Sequence, residues 1–221
     1  MSAHLLVLAK APVAGRVKTR LCPPCTPAQA AAMAAAALDD TLAAGTACGA
    51  RTRTLVVDGS HPAPPGWAVR PQCAGSLGER LAAAYTGGPE GPVVLVGMDT
   101  PQLTATLLDV AAAALGHADA VLGPADDGGW WALGLRETAH ADVLRTVPTS
   151  TAWTGARTLA ALRALGLRVA LLPRLRDVDT IADALAVAPL CAPGSRFPAA
   201  LARVAATVVP TAVPTAAGVA R

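Results

Sequence analysis

The stretch Leu5-Leu-Val-Leu-Ala-Lys-Ala-Pro-Val-Ala-Gly-Arg-Val-Lys-Thr-Arg20 decides how this chain is read. Its first five residues form an unbroken apolar run of strand length, as expected for a strand covered on both faces. Pro12 and Gly15, and then Pro23-Pro24, mark a long loop behind it. Within that loop Lys10, Arg16, Lys18 and Arg20 accumulate, with His4 just ahead, and the first acidic residue of the chain is Asp39. The only two lysines of the protein are Lys10 and Lys18; elsewhere arginine takes the cationic role. A solvated basic loop is the plain reading of such a cluster. Its place directly after a strand favours another: an anion site whose cations lack nearby carboxylates and are free to meet phosphate.

Outward from this strand the pattern alternates. Pro27, capped by Thr26, opens a helix through the alanine-rich stretch to about Ala44. Thr54–Asp58 reads as a strand and Trp67–Arg70 as a short one. Ser76 and Glu79 form a capping box for a helix to about Tyr85. Further strands are expected at Pro92–Gly97, Ala118–Leu122, Trp130–Leu135 and Arg168–Leu172. Helices are expected at Thr104–Leu115, Gly155–Leu165 and Thr180–Val187. Strands alternating with helices of this length imply βαβ units in a three-layer α/β/α sandwich with a mostly parallel central sheet. Residues 1–190 read as one domain. Residues 191–221 read as a Pro/Ala-rich addition, a short helix over 199–208 and a flexible tail over 209–221.

Composition excludes several classes. Apolar residues make up 53% of the 221 residues, too many for extended disorder. The longest unbroken apolar stretch, Ala30–Leu38, is far below the roughly 18 residues of a membrane span. Leu5–Ala9 is too short for a signal-peptide core, so a cytoplasmic protein is expected. A net charge of only +3 and 3% aromatic residues argue against a nucleic-acid binder. Cys22, Cys25, Cys48, Cys73 and Cys191 are odd in number and expected as free thiols. Cys22-Pro-Pro-Cys25 lacks a second ligand pair, so a proline-rich turn is favoured over a redox or zinc site. The chain carries no P-loop, no dinucleotide G-x-G-x-x-G after its first strand and no G-x-S-x-G elbow. A loop with Gly15 as its single glycine would hold phosphate by side-chain charge more than by a backbone cradle.

Carboxylates gather at the same expected edge. Asp58, Asp99, Asp126-Asp127, Asp177 and Asp179 all fall just past strands. Helix caps and Asx turns explain many such residues, and Asp58-Gly59 is most simply a turn. Asp99 ends the most apolar strand, so its carboxylate is expected in the cleft. Cations and carboxylates on one edge suggest a phosphate ligand with a divalent metal, Mg or Mn.

Ala9–Leu21 resembles the opening signature of a bacterial family of predicted GT-A glycosyltransferases, often described as arsenosugar-biosynthesis-type and also known as domain of unknown function 2064. Four more segments match in order: Gly75-Ser-Leu-Gly-Glu-Arg-Leu81, Val96-Gly-Met-Asp-Thr-Pro101, Gly123-Pro-Ala-Asp-Asp-Gly-Gly129 and Leu175-Arg-Asp-Val-Asp-Thr180. The resemblance implies a nucleotide-diphospho-sugar transferase-like fold. It implies that Lys10, Arg16, Lys18 and Arg20, with Gly75 and Arg80, meet the nucleotide diphosphate. Asp99 stands where the superfamily places a metal-binding carboxylate, although a fuller D-x-D would need Asp where this chain has Gly97. Val178-Asp-Thr180 resembles the late DTP element of cytidylyltransferases, which points to Asp179 as second metal ligand, with Asp177 as the alternative. Asp127 or Asp126 is implied as the acceptor's base, with Gly128, Gly129 and Trp130 in the acceptor or sugar pocket. Trp130-Trp131 stand where relatives often show tyrosines, and Ser76 where many show Asp.

The function expected is metal-dependent transfer of a sugar from a nucleotide-diphosphate sugar to a small-molecule acceptor. The alternatives are a nucleotidyltransferase of guanylyl or cytidylyl type, releasing pyrophosphate from an NTP, and a non-catalytic nucleotide-binding protein.

Overall fold

The computed structural model describes residues 3–88 and 90–208. Its sheet has seven strands: β1 (His4–Lys10), β2 (Arg53–Asp58), β3 (Ala68–Pro71), β4 (Val93–Val96), β5 (Ala120–Pro124), β6 (Trp130–Leu135) and β7 (Val169–Leu171). They lie in the order β3-β2-β1-β4-β6-β5-β7. The helices are α1 (Pro27–Ala47), α2 (Leu77–Tyr85), α3 (Ala105–Ala114), α4 (Thr154–Ala164), α5 (Ile181–Val187) and α6 (Arg196–Val208). A 3-10 segment, Thr138–Arg145, is an element the sequence did not announce.

β6 runs antiparallel to both β4 and β5, and the other strand pairs are parallel. The cause is local. The short turn 125–129 joins β5 to β6, and a connection that short reverses the chain.

Alternation along β1 builds the layers. Leu5, Val7 and Ala9 pack with Leu38 and Leu42 of α1 and with Leu108 of α3. Leu6 packs to the other side with Leu81 and Tyr85 of α2 and Leu162 of α4. The result is the expected α/β/α sandwich. Helix starts follow their caps: Thr26 with Gln29, Ser76 with Glu79, and Thr180 with Asp183 each close a capping box.

A third apolar cluster joins Leu21, Met33, Val178, Val187, Phe197 and Leu201. Through it α6, which begins at Arg196 and not near 199, packs along α1. Asp40 of α1 lies only 8% exposed and accepts the Arg196 and Phe197 backbone N–H groups, both at 2.8 Å. Its carboxylate thus satisfies donors that the first turn of α6 leaves open. The tail expected over 209–221 lies outside the described residues. Among the described residues no helix is long and apolar enough to cross a membrane.

β1 and β4 are neighbours in the sheet, yet the chain leaves β1 toward β2 and leaves β4 toward β5, on opposite flanks. Such a switch point opens a crevice beyond the strand ends. The loop after β1 and the loop after β4 both face it.

Candidate functional site

Lys18 sits at φ 48°, ψ 39°, the left-handed region, at the entry to the 3-10 turn Thr19–Leu21. A side chain there costs about 1–2 kcal/mol. Leu21, fully buried in the third cluster, anchors the turn. The Lys18 ammonium stands 2.7 Å from Asp99 Oδ1 and 3.0 Å from Asp179 Oδ1, and the side chain is only 10% exposed. Burial works against its charge, but the carboxylates of Asp99 and Asp179 outweigh that and hold it above the ordinary lysine range. Arg20 Nη1 donates to the second oxygen of Asp179 at 3.2 Å. The expectation of unpaired cations is therefore corrected for Lys18 and Arg20: the fold brings carboxylates to them from positions 99 and 179.

Those two carboxylates are themselves set in place. Asp99 follows β4, and its carbonyl accepts the Val178 N–H at 2.8 Å, which ties the two acidic loops together. Asp179 leads into α5, where its N–H donates to the capping Asp183 at 3.3 Å.

One cleft of about 350 Å³ opens beside this group. Lys10, Arg16, Lys18, Arg20 and Arg80 line it, together with Gln72, Asp99 and Asp179. Gln72 holds the wall together. Its amide nitrogen donates to the Ala9 carbonyl at 2.7 Å, and its amide oxygen accepts Arg80 Nη1 at 3.3 Å. Gly75 does not line this cleft. It occupies φ +115°, and a Cβ there would meet the Glu79 carboxylate at 2.5 Å, so its glycine serves the α2 capping box.

A second chamber of about 290 Å³ adjoins the first, and Asp99 and Asp179 belong to both. Its own wall carries Asp127, Asp177, Gly129, Trp130, Thr149, Ser150, Thr151 and Thr154. Asp127 Oδ1 accepts the Gly129 N–H at 2.7 Å, and Trp130 Nε1 donates to Thr158 at 3.2 Å. Burial, and then the charges of Asp127 and Asp99, push the Asp177 carboxyl up to about 7. Four acidic side chains, Asp99, Asp127, Asp177 and Asp179, share the wall of this chamber.

Asp126 and Gly128 do not line this chamber. Asp126 pairs with Arg176 at 3.2 Å. Gly128 has φ +88°, and a Cβ would fall 2.0 Å from the Ala152 carbonyl oxygen. Its N–H and carbonyl close the turn instead, the carbonyl accepting the Gly155 N–H of α4 at 2.8 Å. The hydroxyl wall Thr149–Thr154 escaped the sequence reading, although the run Pro148-Thr-Ser-Thr ahead of an expected helix was a visible sign. Gln72 carried no sign at all.

Among the described residues no group of three His, Cys, Asp or Glu side chains is placed to hold a metal ion unaided. Two carboxylates do converge, on the Lys18 ammonium. Two such ligands completed by phosphate oxygens suit Mg or Mn, so the residues fit a divalent ion that arrives with a nucleotide.

Comparison with known proteins agrees with this fold. A family model described as "Uncharacterized protein conserved in bacteria (DUF2064)" matches residues 26–151. A crystal structure from Desulfovibrio desulfuricans G20, provisionally described as a nucleotide-diphospho-sugar transferase, superposes with a TM-score of 0.83 at 26% identity, over 94% of this chain and 97% of that one. The protein Rv0371c of Mycobacterium tuberculosis H37Rv, in complex with manganese, gives 0.51 at 18% identity, over 85% and 98%. A CMP:2-keto-3-deoxy-manno-octonic acid synthetase complexed with CTP gives 0.52 at 11% identity, over 82% and 95%. No curated protein matches the chain. The fold is that of the nucleotide-diphospho-sugar transferases.

Proposed function

The chain belongs to the bacterial family DUF2064, and on that premise we propose that it is a metal-dependent glycosyltransferase moving a sugar from a nucleotide-diphosphate sugar to a small acceptor. One observation carries the proposal. The carboxylates of Asp99 and Asp179, bridged by Lys18, stand where a cationic cleft meets an acidic, hydroxyl-lined chamber. A diphosphate suits the first space and a sugar with its acceptor suits the second.

Lys10, Arg16, Arg20 and Arg80 provide fixed positive charge for the diphosphate, and preorganised charge of this kind stabilises a leaving group as its negative charge grows. Asp99 and Asp179 would hold Mg or Mn. Such an ion, when bound, supplies Lewis-acid stabilisation of the departing diphosphate. The manganese-bound mycobacterial neighbour of the same fold supports this choice of ion. Asp127 takes the acceptor hydroxyl proton as that oxygen bonds to the anomeric carbon and the bond to the diphosphate breaks. Asp127 is preferred to Asp126 because Asp126 is held by Arg176 outside the chamber. Trp130 offers an apolar face to the sugar.

A second reading is nucleotidyl transfer. The cationic cleft would accept a triphosphate, and the CTP-bound synthetase shares the fold. A panel of UDP, GDP, CDP, their sugars and the NTPs, each with and without Mn²⁺, separates the two. Thermal stabilisation by a nucleotide sugar with Mn²⁺, followed by release of a nucleoside diphosphate, supports glycosyl transfer. Pyrophosphate release from an NTP overturns it, and so does nucleotide binding with no turnover of either donor class.

A further inference from the structure

The two adjoining spaces differ in sign. Five cationic side chains face the first. None of the residues lining the second is Lys, Arg or His; four of them, Asp99, Asp127, Asp177 and Asp179, are acidic. The nearby Arg176 is already paired with Asp126. An ion held by Asp99 and Asp179 would leave Asp127 and Asp177 still facing the chamber. The rest of the wall combines four hydroxyl side chains, Thr149, Ser150, Thr151 and Thr154, with an apolar floor of Leu8, Leu77, Leu81, Leu95 and Met98, and Trp130 adds an aromatic face. The loop that supplies the hydroxyls also carries Trp153, which is 67% exposed.

From this contrast we infer that the acceptor of the second chamber bears no phosphate or carboxylate: it is a neutral polyol or a hydroxylated amine. The inference rests on the glycosyltransferase reading above, since it names the acceptor of that reaction. Like charges brought together in a partly dry pocket repel strongly, and a single such contact lowers affinity by about tenfold or more. Neutral hydroxyls find the opposite: carboxylates that accept their protons, threonine and serine hydroxyls that pair with them, and a ring that covers their apolar face.

Matched probes test this on the full-length protein with Mn²⁺ and the nucleoside diphosphate that most stabilises it. Glycerol is compared with glycerol 3-phosphate, and glucosamine with glucosamine 6-phosphate, by saturation-transfer NMR and calorimetric titration. In each pair the unphosphorylated member is expected to bind at least tenfold more tightly. Thr149→Lys adds one cation to the half-buried wall and is expected to narrow or reverse that ratio. Equal or tighter binding of the phosphorylated member overturns the inference. So does a ratio unmoved by Thr149→Lys, and so does failure of all four probes to bind. Pyrophosphate release from an NTP would instead remove the underlying glycosyltransferase reading, with the charge preference measured independently of it.

Discussion

Lys18 spends backbone strain to bring its ammonium between Asp99 and Asp179, and that ammonium occupies the carboxylates a divalent ion would use. On the proposed reading a metal would compete with the lysine until a diphosphate drew the lysine away. Lys18→Met is expected to raise Mn²⁺ affinity in the absence of nucleotide by about tenfold and to weaken nucleoside diphosphate binding by a similar factor. Calorimetry and the electron paramagnetic resonance of free Mn²⁺ measure both, and unchanged values in the two titrations would exclude the competition. Asp99→Asn is expected to abolish the Mn²⁺ dependence of nucleotide binding with little loss of thermal stability. Its side chain is 45% exposed, and Lys18 keeps Asp179 as partner. Single residues were legible in sequence wherever the chemistry was local. The basic run and the acids past the strands could be named from composition and position. Their mutual pairing could not, because Lys18 meets a partner 161 residues away, and no spacing rule reaches that far.

The elements were legible wherever a cap or an apolar run fixed them. Thr26, Ser76 and Thr180 begin their helices as read, because a capping box involves only neighbours in sequence. The 3-10 segment Thr138–Arg145 has no such signal, and its buried Ala141 and Leu144 owe their place to packing against α2. The turn between β5 and β6 is where an element makes the site. Gly128→Ala adds a Cβ against the Ala152 carbonyl at positive φ, so it is expected to cost at least about 2 kcal/mol. It should also loosen the contact with α4 that shapes the second chamber, read as a lower melting temperature together with weaker acceptor binding. At the far side of α1, Asp40→Ala leaves the first N–H groups of α6 without their acceptor, and a loss of about 1–3 kcal/mol is expected from chemical denaturation.

Across the whole molecule, α6 completes the sandwich, since Phe197, Leu201 and Val204 fill one cluster with Met33 and Val178. The proline- and alanine-rich texture set this region apart in sequence, and the fold nonetheless gives it a place in the core. Phe197→Ala is expected to cost about 3–5 kcal/mol, measured by denaturant titration; a change under 1 kcal/mol would mean that α6 merely rests on the surface. The α/β class, and the sheet edge that gathers the residues of the candidate site, were readable from alternating strands and helices. The antiparallel insertion of β6 was not, because an apolar strand carries no mark of its direction. That insertion has a consequence for how such a molecule diversifies. It delivers the tip of a hairpin, with Asp127, Gly129 and Trp130, to the chamber that adjoins the cleft lined by the basic loop. The two walls descend from separate segments of the chain, so, on the proposed reading, a lineage could redraw what it decorates by editing the hairpin and the threonine loop while the basic cleft is inherited intact.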